Sequence, residues 1–286
     1  MTYTAGNASC ADIFSPYGLP FPLIVMDISS PTSHHQHRRT PLRSDDIKGS
    51  LHLHTTYSDG EDSLEAMIEG ARDRGYRYVA ITDHSTHLRR RTACGTTRWE
   101  RQIQQIASIR ERFPEVRILH GAEVDVTPRG TLAFPEPALA RLDLCIASVH
   151  DAYDLSTDDQ TARIVNVLTH PQVNVLGHPL GKYKGQRPPM QVDFDRVVRA
   201  AIENEVALEI NGKPERMDLP ASYVDRAARA GAYFVLSADA HAVDDHDQLL
   251  NAVQIAQDSA LPAERVINTQ PTTDFLRWLS GHQVVR

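Results

Sequence analysis

Two histidines one residue apart, in the run GSLHLHTTYSDG, open a series of residues able to bind cations. After His52 and His54 come Asp59 in the next loop, His84 in ITDHS, Glu123 in GAEVD, His150 in ASVHD, His178 in LGHP, and Asp239 with His241 in SADAH. Imidazole and carboxylate donors suit Zn, Mn and Fe, and the lack of thiolates among them argues against an Fe–S cluster or a structural Cys site. Nine ligands are too many for one ion, whereas three ions could each take three or four if a carboxylate bridges. Three divalent ions would set six positive charges against three carboxylates, so the site would attract an anion. Phosphate esters are then favoured over neutral substrates, because metals hold phosphoryl oxygens, lower the pKa of a bridging water and stabilise the leaving oxygen. Metal-assisted phosphoester hydrolysis is the chemistry expected.

For these residues to meet, they must sit at the ends of neighbouring strands. From Ile47 onward, short apolar runs alternate with amphipathic stretches, the pattern of repeated β-α units. Seven runs are predicted as strands: Gly49 to His54, Tyr78 to Thr82, Arg117 to Glu123, Leu144 to Val149, Val173 to Gly177, Val206 to Asn211 and Tyr233 to Ala238. Helices are predicted near Ser63 to Arg74, Thr97 to Arg112, Ser156 to Thr169, Asp193 to Asn204 and Ala221 to Ala230, with Thr97 and Glu100 as a capping box. Seven parallel strands suggest an α/β barrel, closed or nearly so, with an open doubly wound sheet as the competitor. In a parallel barrel the C-terminal strand ends converge, so side chains distant in sequence can share one site. A single His near a strand end is usually a satisfied polar residue. The argument rests on nine residues at six strand ends, which take six of the 14 histidines.

Composition narrows the class. The 286 residues are 41% hydrophobic, enough for a sizeable core, and the net charge of -7 argues against a broad basic surface for nonspecific nucleic-acid binding. Cys10, Cys94 and Cys145 are widely spaced and odd in number, so neither a disulfide framework nor a zinc ribbon is indicated and a reducing cytoplasm fits best. The apolar run from Phe21 to Met26 is too short to span a membrane and lacks the basic flank of an export signal. Residues 1–46 read as an extension or linker and residues 47–286 as the metal-dependent domain.

Basic residues near the expected mouth are candidates for substrate contact. Arg89, Arg90 and Arg91 follow the second strand, Lys182, Lys184 and Arg187 follow His178, and Lys213 and Arg216 follow the sixth strand, which carries no proposed ligand and ends at Asn211. Asp83 beside His84, and Asp151 beside His150, could orient the adjacent ligands. The trio His34, His35 and His37 has no supporting carboxylates and reads as solvated. Cys145 reads as a small core residue, and Cys94 has no partners for a thiol nucleophile. Neither G-x-S-x-G nor a Walker loop occurs.

The motifs HLHTTYSDG, ITDHS, GAEVD, SVHD, GHP and SADAH resemble those of the PHP (polymerase and histidinol phosphatase) family across roughly residues 47 to 270. That resemblance implies a distorted (βα)7 TIM-like barrel with a trinuclear site and phosphoesterase activity. It further implies a first ion shared by His52, His54, Glu123 and Asp239, with Glu123 bridging to a second held by His150 and His178. Asp59, His84 and His241 would hold the third. DIKGSLHLHTTYSDG, LGHPLGKYKGQRPP and LEINGKPERMDLP are most similar to the C-terminal PHP domain of bacterial family X DNA polymerases, and ADIFSPYGLPFP resembles the junction before it. With 46 residues ahead of the barrel there is no room for a polymerase palm, so a free-standing PHP domain is expected. The basic run THLRRRTACGTT departs from the blander loop of that branch, which bears on substrate preference.

The expected reaction uses a metal-bound hydroxide supported by Glu123, Asp239 and His241, attacking phosphorus in line while Lys and Arg hold the ester. The substrate implied by the branch is a DNA 3' end, through 3'-to-5' exonuclease or 3'-phosphatase chemistry. A small phosphomonoester such as histidinol phosphate is the alternative, and a noncatalytic accessory domain is a third reading.

Overall fold

The computed structural model describes residues 42–88 and 97–284. Seven strands alternate with helices: β1 (Gly49–Ser50), α1 (Leu64–Asp73), β2 (Tyr78–Ile81), α2 (Ser85–Leu88), α3 (Arg98–Arg110), β3 (Arg117–Asp125), α4 (Glu136–Leu139), β4 (Leu144–Ser148), α5 (Thr157–Leu168), β5 (Val175–Leu176), α6 (Phe194–Glu203), β6 (Ala207–Asn211), α7 (Ala221–Ala230), β7 (Phe234–Ser237), α8 (Leu249–Asp258) and α9 (Thr272–Val284). All neighbouring strands pair in parallel in the order β1 to β7. The expected seven-stranded barrel is thus observed, and the open doubly wound sheet is not.

Helix starts follow their caps. The Oγ of Ser63 accepts from Ala66 N at the start of α1, and the Thr97–Glu100 capping box is complete at the start of α3, an arrangement that contributes about 1 kcal/mol. α7 ends at Gly231, whose φ of 106° is one that side-chain-bearing residues avoid. β1 and β5 are only two residues long, shorter than their apolar runs suggest, because pairing gives way to irregular backbone as the chain enters the site.

The barrel closes between β7 and β1 without a regular ladder. Near the C-terminal ends, Leu53 bridges Ala240 and His54 N donates to Ala240 O at 2.8 Å. Lower in the seam, Asn268 Nδ2 donates to Gly49 O and Leu236 O at 3.0 and 2.8 Å, while its Oδ1 accepts from Leu236 N. One buried amide therefore satisfies backbone groups on both edges.

Two hydrophobic layers hold the fold. Between sheet and helices lie Val79, Ile118, Leu208 and Leu236 with residues of α1, α5, α6 and α8. Leu42 also belongs to this layer, so the packed body includes residues ahead of Ile47. Inside the barrel, Tyr78, Leu119, Leu144, Ile146, Val175, Ala207 and Val235 pack together. α9 plugs that end, with the Phe275 ring stacked on Tyr78 at a centroid distance of 4.2 Å. No helix among the described residues is long and apolar enough to cross a membrane.

Candidate metal centre

Above the apolar floor the inward-facing positions become polar, following the two-residue period of the strands. β3 passes from Leu119 through Gly121 to Glu123 and Asp125, and β7 from Val235 through Ser237 to Asp239. His52 and His54 lie past the short β1, on the side opposite Leu53, which faces the helices. Gly60 lets the TTYSDG loop fold back: a Cβ there would come within 2.6 Å of the His54 backbone. Asp83 holds the same loop, accepting from Thr55 N and Oγ1, Ser58 Oγ and Gln102 Nε2.

The nine ligand-type residues expected from the sequence meet around Glu123. Its carboxylate oxygens lie 3.6 Å from His52 Nε2, 3.6 Å from His54 Nε2, 3.0 Å from His84 Nδ1, 3.2 Å from His150 Nε2 and 2.8 Å from His178 Nε2. Asp239 Oδ1 is 3.2 Å from His54 Nε2 and 3.7 Å from His52 Nε2 and His241 Nδ1. Asp59 Oδ2 is 3.5 Å from Nε2 of both His84 and His241. His52, His54, Glu123, His178 and Asp239 are buried, whereas Asp59, at 44% exposure, sits at the mouth.

The donors fit divalent cations. Four groups each offer ligand atoms within 4.8 Å of one another: His54, Asp59, His84 and His241; His52, His54 and Asp239; Glu123, His150 and His178; and His84, Asp125 and His150. Ring nitrogens His52 Nε2, His54 Nε2, His150 Nε2 and His178 Nδ1 are buried with no hydrogen-bond partner among the described residues, as open ligand positions would be. The electrostatics agree. Burial opposes charge on Glu123, yet His150, His84 and His52 outweigh it and hold the carboxyl well below its usual range. Burial likewise opposes a charged His84, but Glu123 and Asp59 push it up to about 11. Burial, with the charge of His84 next, brings His54 down to about 3. Burial and then Arg216 bring His178 down to about 4. Without a cation, this collection of carboxylates is balanced by protons on some of the rings and not others.

The basic candidates separate. A cavity of about 360 Å³ over the centre is lined by Lys213 and Arg216, together with Tyr183, Asp125 and the outer ligand-type residues. Arg216 Nε donates to Asp239 Oδ2 at 2.8 Å, and its Nη1 is buried with no partner among the described residues. Lys213 Nζ lies 2.9 Å from His241 Nδ1. Lys182, Lys184 and Arg187 do not line this cavity, contrary to expectation. Arg187 is drawn away by Gly181 O at 2.7 Å and by the Tyr153 ring, 3.9 Å from its guanidinium, while Lys184 is exposed. Arg89, Arg90, Arg91, Cys94 and the His34, His35, His37 trio lie outside the described residues. Cys145 is buried in the outer layer, as expected.

Two expected orienting pairs are corrected. Asp83 braces the loop after His54 rather than touching His84, and Asp151 takes Arg163 Nη2 at 2.5 Å rather than His150. The His150 partner is Asp125, at 2.6 Å from Nδ1. Sequence reasoning missed Asp125, Glu209 and Tyr183. The first two carried a usable signal: Asp125 is two residues beyond Glu123, and Glu209 is a lone acid in the apolar run VALEIN, two before Asn211, so each shares its neighbour's strand face.

Residues 50–213 match the family model of the PHP domain, and the chain belongs to that family. It is 33% identical over 233 residues to DNA polymerase/3'-5' exonuclease PolX of Bacillus subtilis, a match covering 82% of this chain and 41% of that one. The chain therefore spans less than half the length of that relative. It is also 28% identical over 231 residues to a probable phosphatase of Caldanaerobacter subterraneus, covering 76% and 85% of the two. Among solved structures, histidinol phosphate phosphatase from Lactococcus lactis, complexed with zinc, L-histidinol and phosphate, shares the fold with a TM-score of 0.54 and 16% identity. That match covers 73% of this chain and 93% of the other.

Proposed function

We propose that the protein is a metal-dependent phosphoesterase in which these nine residues hold three divalent ions, of zinc, manganese or iron. The groupings favour His52, His54 and Asp239 for one ion, Glu123, His150 and His178 for a second, and Asp59, His84 and His241 for a third, with Glu123 reaching toward more than one. Ions bound there supply Lewis-acid polarisation of a phosphoryl group and activation of water. One observation carries the reading: nine ligand-type side chains cluster around Glu123, and five of them (Asp59, His84, His150, Asp239 and His241) line one cavity with Arg216, whose Nη1 has no partner among the described residues.

The residues divide the remaining work. Arg216 keeps Nε on Asp239 and offers Nη1 to a non-bridging phosphoryl oxygen, so one guanidinium orients a ligand and binds substrate. His241 Nδ1 lies 2.8 Å from Asp239 O as well as 2.9 Å from Lys213 Nζ, and the ring cannot serve both partners in one tautomer. Donating to the carbonyl leaves Nε2 free to bind a cation, and Lys213 is then released toward the ester.

The 33% identity to PolX makes a DNA 3' end the first substrate to test. A small phosphomonoester is the second reading, favoured by the size of the cavity and the net charge of -7. A parallel assay of a 3'-phosphorylated oligonucleotide, an unmodified oligonucleotide and small phosphomonoesters including histidinol phosphate separates them. Release of phosphate from the first without cleavage of the second marks a 3'-phosphatase. Turnover of small esters alone marks the second reading, and inactivity on all of them rejects phosphoesterase function.

A further inference from the structure

β6 contributes none of the nine ligand-type residues, yet Glu209 at its middle is fully buried behind the histidines. Its Oε1 lies 2.5 Å from His52 Nδ1 and accepts from Ser237 Oγ at 2.5 Å. Its Oε2 accepts the backbone N–H of His178 at 2.6 Å and Asn211 Nδ2 at 3.2 Å. A carboxylate has about four acceptor positions, so these partners use its capacity and leave nothing for a cation. Two of the partners belong to different ligand groups: His52 goes with His54 and Asp239, and His178 with Glu123 and His150.

We propose that Glu209 is the positioning residue that builds these two ion positions as one unit, an inference that rests on the metal-centre reading above. A neutral imidazole carries one ring proton, and an anionic acceptor at Nδ1 keeps it there, leaving the lone pair on Nε2. His52 Nε2 is the buried, unpartnered nitrogen that faces Glu123 and Asp239. The other oxygen acts through the main chain. His178 has φ 27°, in the region that favours glycine, and the bond from its N–H to Glu209 helps hold it there, with its ring on Glu123. Ser237 and Asn211 fix the carboxylate from β7 and β6, so its place is set by the barrel itself.

Zinc affinity of the full chain, measured by chelator competition for the parent and Glu209→Gln, tests this. Glutamine is nearly isosteric. Its amide presents His52 either with a weaker neutral acceptor or with an N–H that moves the ring proton to Nε2 and blocks that nitrogen. The expected result is a loss of about 10- to 100-fold in affinity for the tightest zinc. Melting temperatures of the metal-stripped parent and variant are measured alongside, because breaking the buried Glu209–His52 pair can itself lower stability, and that effect is read separately from affinity. Zinc affinity within about twofold of the parent overturns the proposal at the scale set for such partners. A weaker affinity that merely tracks a lower melting temperature of the stripped variant overturns it as well. A variant that fails to fold leaves a measurement on the parent: ¹⁵N shifts of the zinc-loaded protein should place the His52 proton on Nδ1, and a proton on Nε2 overturns the proposal. A parent that binds no zinc removes the metal-centre reading together with this one, whereas equal binding by parent and variant removes the role of Glu209 alone.

Discussion

Along β6 the inward-facing positions run Ala207, Glu209, Asn211, and along β7 they run Val235, Ser237, Asp239. The first member of each series packs in the apolar floor with Tyr78 and Phe275, and the last reaches the ring of ligand-type side chains. Floor and ring share a register and a barrel but differ in energetics. Burying the floor removes apolar surface from water and stabilises the fold. Burying Glu123, Glu209 and Asp239 costs desolvation that only well-placed partners repay, so the ring is stability given up for function. The two halves should therefore respond independently to substitution.

The sharpest break between them is expected from Glu123→Gln, which alters the one carboxylate approached by five histidines. A fall in kcat/KM on the order of 10⁴-fold is expected, with loss of bound metal seen by elemental analysis. In the floor, Phe275→Ala removes the ring stacked on Tyr78 and should lower stability by about 3–5 kcal/mol in denaturant titration. Zinc affinity of the folded fraction should not change, and a parallel loss would mean that floor and ring are coupled. Arg216→Lys keeps the charge but loses the fork that spans Asp239 and the cavity, and an increase in KM of about tenfold is expected in steady-state assays.

The smallest effect should come from Asp218, on the loop after β6. Its Oδ2 accepts Leu180 N at 3.0 Å, and burial pushes its carboxyl up to about 7, against the lowering effect of its backbone hydrogen bond to Leu180 and of Arg216. A folded-state pKa raised above the unfolded value means that the folded chain holds the extra proton, and stability is lost as pH rises toward and through about 7. Asp218→Asn cannot titrate, so its melting temperature should gain on the parent between pH 5 and pH 8. A constant difference across that range would show that the carboxyl does not titrate there.

The strand count and most of the nine ligand-type positions were legible because a residue with no place in a core interrupts or ends an apolar run, as Glu123 does in GAEVD and His150 in ASVHD, whereas Asp59 was read from the loop after His54. Contacts between elements were not. The Asp125–His150 pair spans 25 residues and the Glu209–His52 pair 157, and in both cases adjacency in sequence had favoured other partners or none. The Lys182, Lys184 and Arg187 loop was read from charge alone, yet Tyr183 lines the cavity and the arginine packs on Tyr153. The seam was hidden too, since nothing in INTQ marks Asn268 as the amide joining β1 to β7.

The central claim is that the ring hydrolyses phosphoesters only with its cations in place. Back-titration of chelator-stripped protein with zinc or manganese, following bound metal and phosphate release together, tests it most directly. The account predicts no turnover in the stripped protein, recovery on adding metal, and a maximum near three ions per chain, the number the nine ligands support. Full turnover by the stripped protein, or metal binding that saturates without restoring phosphate release, would contradict it.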